Sequence, residues 1–268
     1  PLAGVQRQPT VALAAPGADC GGWRTALRAE LSDPSKVSFQ GVYPAACGER
    51  VWPVAAADPR GFAARAVEGM WRDLGGKLTG SVRDGKVPPG LKPAFVVTSP
   101  ALAEVVRDVN KYSNNVMAQQ VFLTLALQKN GVATFDGARE VLRQWWQARM
   151  GDADLPQVDN GAGLSRDARL TAQALARMLQ VAWVSPVMPE LVASLPITGV
   201  DGTLRRSQSR AGTAHLKTGS LRDVMAVAGY VHAASGRRYV LVAVVNHANA
   251  GAARPVLDSL IDWTAREQ

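Results

Sequence analysis

Leu216-Lys217-Thr218-Gly219-Ser220-Leu221 stands between an approach rich in Ala, Gly and Thr and the apolar run Val224 to Val231. A lysine and small residues ahead of an apolar, strand-like run place this stretch in a strand that opens a β region. Two further apolar strands follow it, Val224 to His232 and Tyr239 to Asn246, separated by a tight turn at Ser235-Gly236. A closing helix over Ala252 to Glu267 places Val256, Leu257, Leu260, Ile261 and Trp263 at the spacing of one helix face, against that sheet. Helices laid on an antiparallel sheet of consecutive strands make an α+β layer fold.

Upstream of the strand the texture is helical. Phe62, Ala66, Met70 and Leu74 recur at helical spacing until Gly75-Gly76, and Leu78 to Val82 reads as a short strand. Ser99-Pro100 is a helix start signal, and Leu102, Val105, Val106 and Val109 line one face of the helix it begins. That helix meets Ser113-Asn114-Asn115, and a second one, Val116 to Leu127, is apolar on all sides, the pattern of a buried helix. Asp136 is placed to cap a helix carrying Val141, Leu142, Trp145 and Trp146, stopped by Gly151. After the turn Asn160-Gly161-Ala162-Gly163, Thr171 caps another with Leu175, Met178 and Leu179 inward. Residues 1 to 57 differ: short strands at Thr10-Leu13 and Val37-Phe39, a helix over Trp23 to Leu31, and Pro, Gly and Cys as punctuation. The change of texture at Asp58-Pro59 divides the chain into a β-rich part, 1–57, and the part 58–268.

With 47% hydrophobic and 19% charged residues the 268-residue chain is globular, and no apolar run approaches the roughly 20 residues that cross a bilayer. Thirty basic against 22 acidic residues give a charge of +8, which suits polyanionic surroundings. The arginines are scattered and form no basic block, so the charge describes a solvated surface and no nucleic-acid partner. Cys20 and Cys47 are the cysteines, and a disulfide between them would staple a segment poor in apolar residues. His215, His232 and His247 have no metal-ligand spacing.

The Lys-Thr-Gly run and the serine and asparagine two positions apart, Ser113 and Asn115, are in the order of two signatures of penicillin-recognising serine acyl-transfer enzymes. Longer stretches carry the likeness: Val109 to Ala118, Asn160 to Arg166, Leu195-Pro196 with Gly199 to Leu204, and His215 to Leu221. On these, the chain resembles the C-terminal portion of a class C penicillin-binding protein, of the D-alanyl-D-alanine carboxypeptidase/endopeptidase family. The resemblance implies the penicillin-binding/β-lactamase-like transpeptidase fold, here incomplete and preceded by the end of a strand-rich inserted domain. It implies a periplasmic or secreted hydrolase that cleaves D-Ala-D-Ala in peptidoglycan stem peptides, is acylated by β-lactams, and needs no metal or organic cofactor.

The roles it implies are specific. Lys217 supplies positive charge for the terminal carboxylate and assists proton transfer, and Thr218 hydrogen-bonds that carboxylate. Gly219 lets the backbone approach, and the Ser220 N–H forms half of an oxyanion hole. Ser113 relays a proton to the leaving amine, Asn115 orients substrate and the active-site lysine, and Arg166 reaches a side-chain carboxylate of the stem peptide or is a plain surface arginine. One element of the family is absent. The nucleophile belongs to a Ser-x-x-Lys motif, whereas the residues three before Lys36, Lys77, Lys86, Lys92, Lys111, Lys129 and Lys217 are Asp33, Leu74, Arg83, Pro89, Asp108, Ala126 and Ala214. The expectation is a site that cannot form the acyl-enzyme by itself, on a fragment of poor solubility with apolar surface along Val116 to Leu127. A β-lactamase or esterase relative, and a non-catalytic module that binds wall peptide or a protein partner in the same cleft, stay open.

Overall fold

The computed structural model describes residues 1–8 and 10–267, in two compact units, Pro1–Val96 and Val97–Gln268. The first is organised on strand β4 (Lys36–Tyr43). Strands β1 (Gln6–Arg7) and β2 (Ala12–Leu13) pair with it in parallel, and β3 (Leu27–Glu30) antiparallel. The helix expected over Trp23 to Leu31 stops after one turn, α1 (Trp23–Ala26), and continues as β3. Its backbone bonds with β4 instead: Leu27 lies opposite Gly41 and Glu30 opposite Ser38, a case of tertiary pairing overriding local pattern. Gly41 has φ +100° and a Cβ there would sit 2.1 Å from the Ala26 carbonyl oxygen, so the crossing needs glycine. Cys20 and Cys47 form a disulfide with Cα atoms 5.4 Å apart. Trp23 packs edge-on against Tyr43 and Trp52. Helix α2 (Phe62–Asp73) comes next, and residues 78–82 form no strand.

The second unit begins with helices α3 (Leu102–Tyr112), α4 (Asn115–Asn130), α5 (Phe135–Met150), α6 (Ala172–Trp183) and α7 (Met188–Ser194). Ala101, and not Ser99, is the N-cap of α3. Thr134 caps α5 by accepting from Gly137 N at 3.1 Å, which leaves Asp136 as an acidic group inside the first turn. Thr171 caps α6 through Ala174 N at 3.0 Å. Helix α4 buries Phe122 and Ala126 against Ala138, while Val116, Leu125 and Leu127 are exposed. Its expected all-round burial is therefore one-sided among the described residues.

The three consecutive strands β5 (Ala214–Leu221), β6 (Val224–His232) and β7 (Arg238–Asn246) form an antiparallel sheet in that order. Period-two alternation divides its faces. Ala214, Leu216, Val227, Val231 and Leu241 pack with Leu257 and Ile261 of helix α8 (Arg254–Ala265). Tyr230, on the opposite face, packs with Leu179 of α6 and Leu195, and its hydroxyl donates to the Leu179 carbonyl at 2.7 Å. Val256 and Trp263 of α8 face solvent, contrary to their expected place on the sheet. The result is an α+β arrangement with helices on both sides of the sheet.

Candidate active site

The outer edge of β5 is covered for only half its length. Thr198 N donates to Ala214 O at 3.0 Å and Leu216 N to Pro196 O at 2.9 Å. Beyond Leu216 nothing among the described residues continues this pairing. Alternate residues of a strand present their N–H groups to the same edge, so the N–H groups of Thr218 and Ser220 point where that of Leu216 does. A Cβ on Gly219 would meet only the Ala226 Cβ, at 3.8 Å, so the backbone here is open to approach.

Ser113 is brought to this edge by the helix junction. As the C-cap of α3 it takes the left-handed conformation, φ 54° and ψ 49°, and its N–H returns to Val109 O. A non-glycine residue held there turns the chain sharply into the next helix. Asn114 completes the turn, its Oδ1 accepting from Met117 N at 3.1 Å to cap α4. Lys217 Nζ donates to Ser113 Oγ and to its neighbour's carbonyl, Thr218 O, each at 2.8 Å. Burial holds the Lys217 ammonium below the ordinary lysine pKa, so it gives up a proton more readily than a solvated lysine. Thr218 Oγ1 lies 2.8 Å from Thr203 Oγ1.

Ser113, Lys217 and Thr218 thus meet in space, with Asn115 at the exposed start of α4 and Gly219 and Ser220 next along the edge. Arg166 stands apart from them. It forms an ion pair with Asp223 in the β5–β6 turn and lines an open cleft of about 1000 Å³ with Arg169, Arg222 and His247. The guanidinium's hydrogen bond lowers the Asp223 carboxyl pKa. His215 and His232 stack with centroids 5.2 Å apart. No group of three His, Cys, Asp or Glu is placed to hold a metal among the described residues. Sequence reasoning did not single out Lys111, Asp201 or Thr203 as individuals. Lys111 Nζ donates to Asp201 Oδ2 at 2.6 Å, and the partners are too far apart in the chain for any local signal to join them.

A model of the D-Ala-D-Ala carboxypeptidase 3 (S13) family matches residues 17–267. The chain belongs to this family. Among curated relatives, a carboxypeptidase of Mycobacterium tuberculosis is 32% identical over 54% of this chain and 33% of its own length. A D-alanyl-D-alanine carboxypeptidase of an Actinomadura species is 28% identical over 62% of this chain and 33% of its own. The chain therefore spans about a third of the length of these relatives. In solved structures, penicillin binding protein 4 of Haemophilus influenzae, in complex with a β-lactam, superposes with a TM-score of 0.69 at 20% identity, over 88% of this chain and 58% of that one. The likeness shows that the S13 chain has the penicillin-binding fold.

Proposed function

We propose that this S13 chain forms the proton-relay and carboxylate-binding side of a serine-type D-Ala-D-Ala carboxypeptidase. The observation that carries the reading is the 2.8 Å contact of Lys217 Nζ with Ser113 Oγ, beside a strand edge that no described residue pairs from Thr218 onward. A stem peptide laid along that edge presents its scissile carbonyl to the Ser220 N–H, which stabilises the developing oxyanion. Its terminal carboxylate meets the Thr218 hydroxyl and the Lys217 charge. As the tetrahedral intermediate collapses, the C–N bond breaks and the leaving D-alanine amine takes the Ser113 proton, which Lys217 replaces. Asn115 orients the substrate, and Arg166 holds a side-chain carboxylate farther along the peptide when released from Asp223. The attacking serine, from a Ser-x-x-Lys motif, comes from outside these 268 residues.

The reading extends to D,D-endopeptidase action on cross-links, to β-lactams as acylating mimics, and to work outside the cytoplasm. The Cys20–Cys47 disulfide agrees with an oxidising compartment. A second reading is favoured by the missing motif: a module that holds wall peptide without cleaving it. Fluorescent penicillin, applied to this chain and to the chain extended upstream through a Ser-x-x-Lys, separates the two. Labelling of the extended protein alone, lost on Lys217→Ala, supports the enzyme. Labelling of neither supports the binding module.

A further inference from the structure

Lys111 lies in the last turn of helix α3, two residues before Ser113, and it is buried, with 8% of its surface exposed. Its Nζ donates to Asp201 Oδ2 at 2.6 Å and to Leu195 O at 2.7 Å, while Asp201 Oδ1 accepts from Ile197 N at 2.9 Å. One ammonium and one carboxylate therefore fasten the end of α3 to the loop that runs from Leu195 to Leu204. The next loop residue presses on the same helix end: Gly202 has φ +55°, and a Cβ there would lie 2.5 Å from Lys111 O. The residue after that, Thr203, reaches Thr218 Oγ1 at 2.8 Å. Lys217, adjacent to Thr218, reaches Ser113 at 2.8 Å. The contacts close a ring: Lys111, Ser113, Lys217, Thr218, Thr203, Asp201 and back to Lys111.

We propose that Lys111 and Asp201 are positioning residues whose ion pair sets both flanks of the cleft together, Ser113 on the helix side and the Thr203–Thr218 pair on the strand side. For its effect on rate the proposal rests on the acyl-transfer reading above; the coupling of the two flanks does not. The pair is half-buried, the Asp201 side chain being 37% exposed, and such a pair is a poor source of net stability, because desolvation of the lysine and solvent screening at the carboxylate offset most of its Coulomb gain. Direction is what it adds. Two hydrogen bonds donated by Lys111 fix the helix end against the loop, a third from Ile197 N to Asp201 Oδ1 holds the carboxylate in place within that loop, and Ser113 in its left-handed conformation takes its aim from the helix end. The neighbouring link, Asn110 Nδ2 to Ser194 Oγ at 2.8 Å, ties α3 to α7 but does not enter the ring.

The test uses the chain extended upstream through a Ser-x-x-Lys, with Lys111→Met, Asp201→Asn and the double replacement Lys111→Met/Asp201→Leu. Each is measured for melting temperature, for fluorescent-penicillin acylation resolved into initial binding and acylation rate, and for amide hydrogen exchange. The single variants lose stability because each strands a polar partner. The double variant is expected to regain the parent melting temperature to within about 3 °C. Its acylation rate stays lower by about tenfold or more, as misplaced catalytic groups require, with initial binding changed less than roughly threefold. Amide exchange in residues 112–115 and 202–204 speeds up together, by about tenfold, while β6 and β7 keep their protection. Acylation that returns along with melting temperature would show a merely stabilising pair and overturn the proposal. So would faster exchange in one segment without the other. If the parent protein is not acylated, the acyl-transfer reading fails, and the exchange data alone decide whether the pair couples the two flanks.

Discussion

Gly202→Ala tests how tightly the loop lies on the helix end that carries Ser113. The change meets two costs. At φ +55° an L side chain crowds its own backbone, at about 1–2 kcal/mol. The new Cβ would also lie 2.5 Å from Lys111 O and 3.2 Å from that residue's carbonyl carbon and Cα, all of them main-chain atoms that cannot rotate away. Forcing a packed interface apart adds about 1–3 kcal/mol, so the expected loss is about 2–5 kcal/mol. Gly131→Ala is the control. Gly131 has φ +74° at the C-cap of α4 and no atom within 4 Å of its would-be Cβ, so only the conformational cost of about 1–2 kcal/mol applies. Urea unfolding followed by helical circular dichroism measures both variants in the same protein. Equal losses for the two would refute the close packing of Gly202 on Lys111.

Thr171→Ala removes the cap of α6 and should cost about 1 kcal/mol, whereas Ser99→Ala, which caps nothing, should stay within about 0.5 kcal/mol; equal effects in thermal unfolding would contradict the assigned helix starts. Replacing both Cys20 and Cys47 by Ser opens a loop with a sequence separation of 27 and should destabilise the first unit by about 3–4 kcal/mol, read from the fluorescence of Trp23 and Trp52 during urea unfolding. Burial depresses the pKa of both His215 and His232 below the usual 6.5, helped at His215 by Lys111 and at His232 by Arg238 and His215. The unfolded chain then binds protons more readily, so the stability these two contribute falls as pH drops from 6.5 through their depressed folded values. Stability measured against pH for the parent and a His215→Gln/His232→Gln variant should show the steeper acid loss in the parent; the reverse slope would refute it.

Much of the site is legible in the sequence because its signals are local. The run Lys217-Thr218-Gly219 ahead of alternating apolar residues, and Ser113 between two helical stretches, each lie within one element or one junction. Cap positions are nearly as local, yet the sequence places the cap of α5 at Asp136, and only the extended backbone at Thr134 moves it two residues upstream. Segment 23–31 shows where locality ends. Its residues suit a helix, but Leu27 to Glu30 have a strand partner in β4, and that partner decides. In α8 the periodicity marks a broad apolar face without saying which part the sheet covers, so Leu257 and Ile261 are buried while Val256 and Trp263 are not.

By itself, then, the sequence determined the α+β class, the order of helices α3 to α6, strands β5 to β7 and helix α8, the likeness to the S13 family and the identity of the Lys217 and Ser113 motifs. These depend on residue spacing within a few turns or one strand. The tertiary structure alone decided that Lys217 touches Ser113, that Arg166 is paired with Asp223, and that Lys111 is locked to Asp201. Such contacts join side chains from separate elements, and their geometry is set by how helices pack on the sheet, which no local pattern encodes.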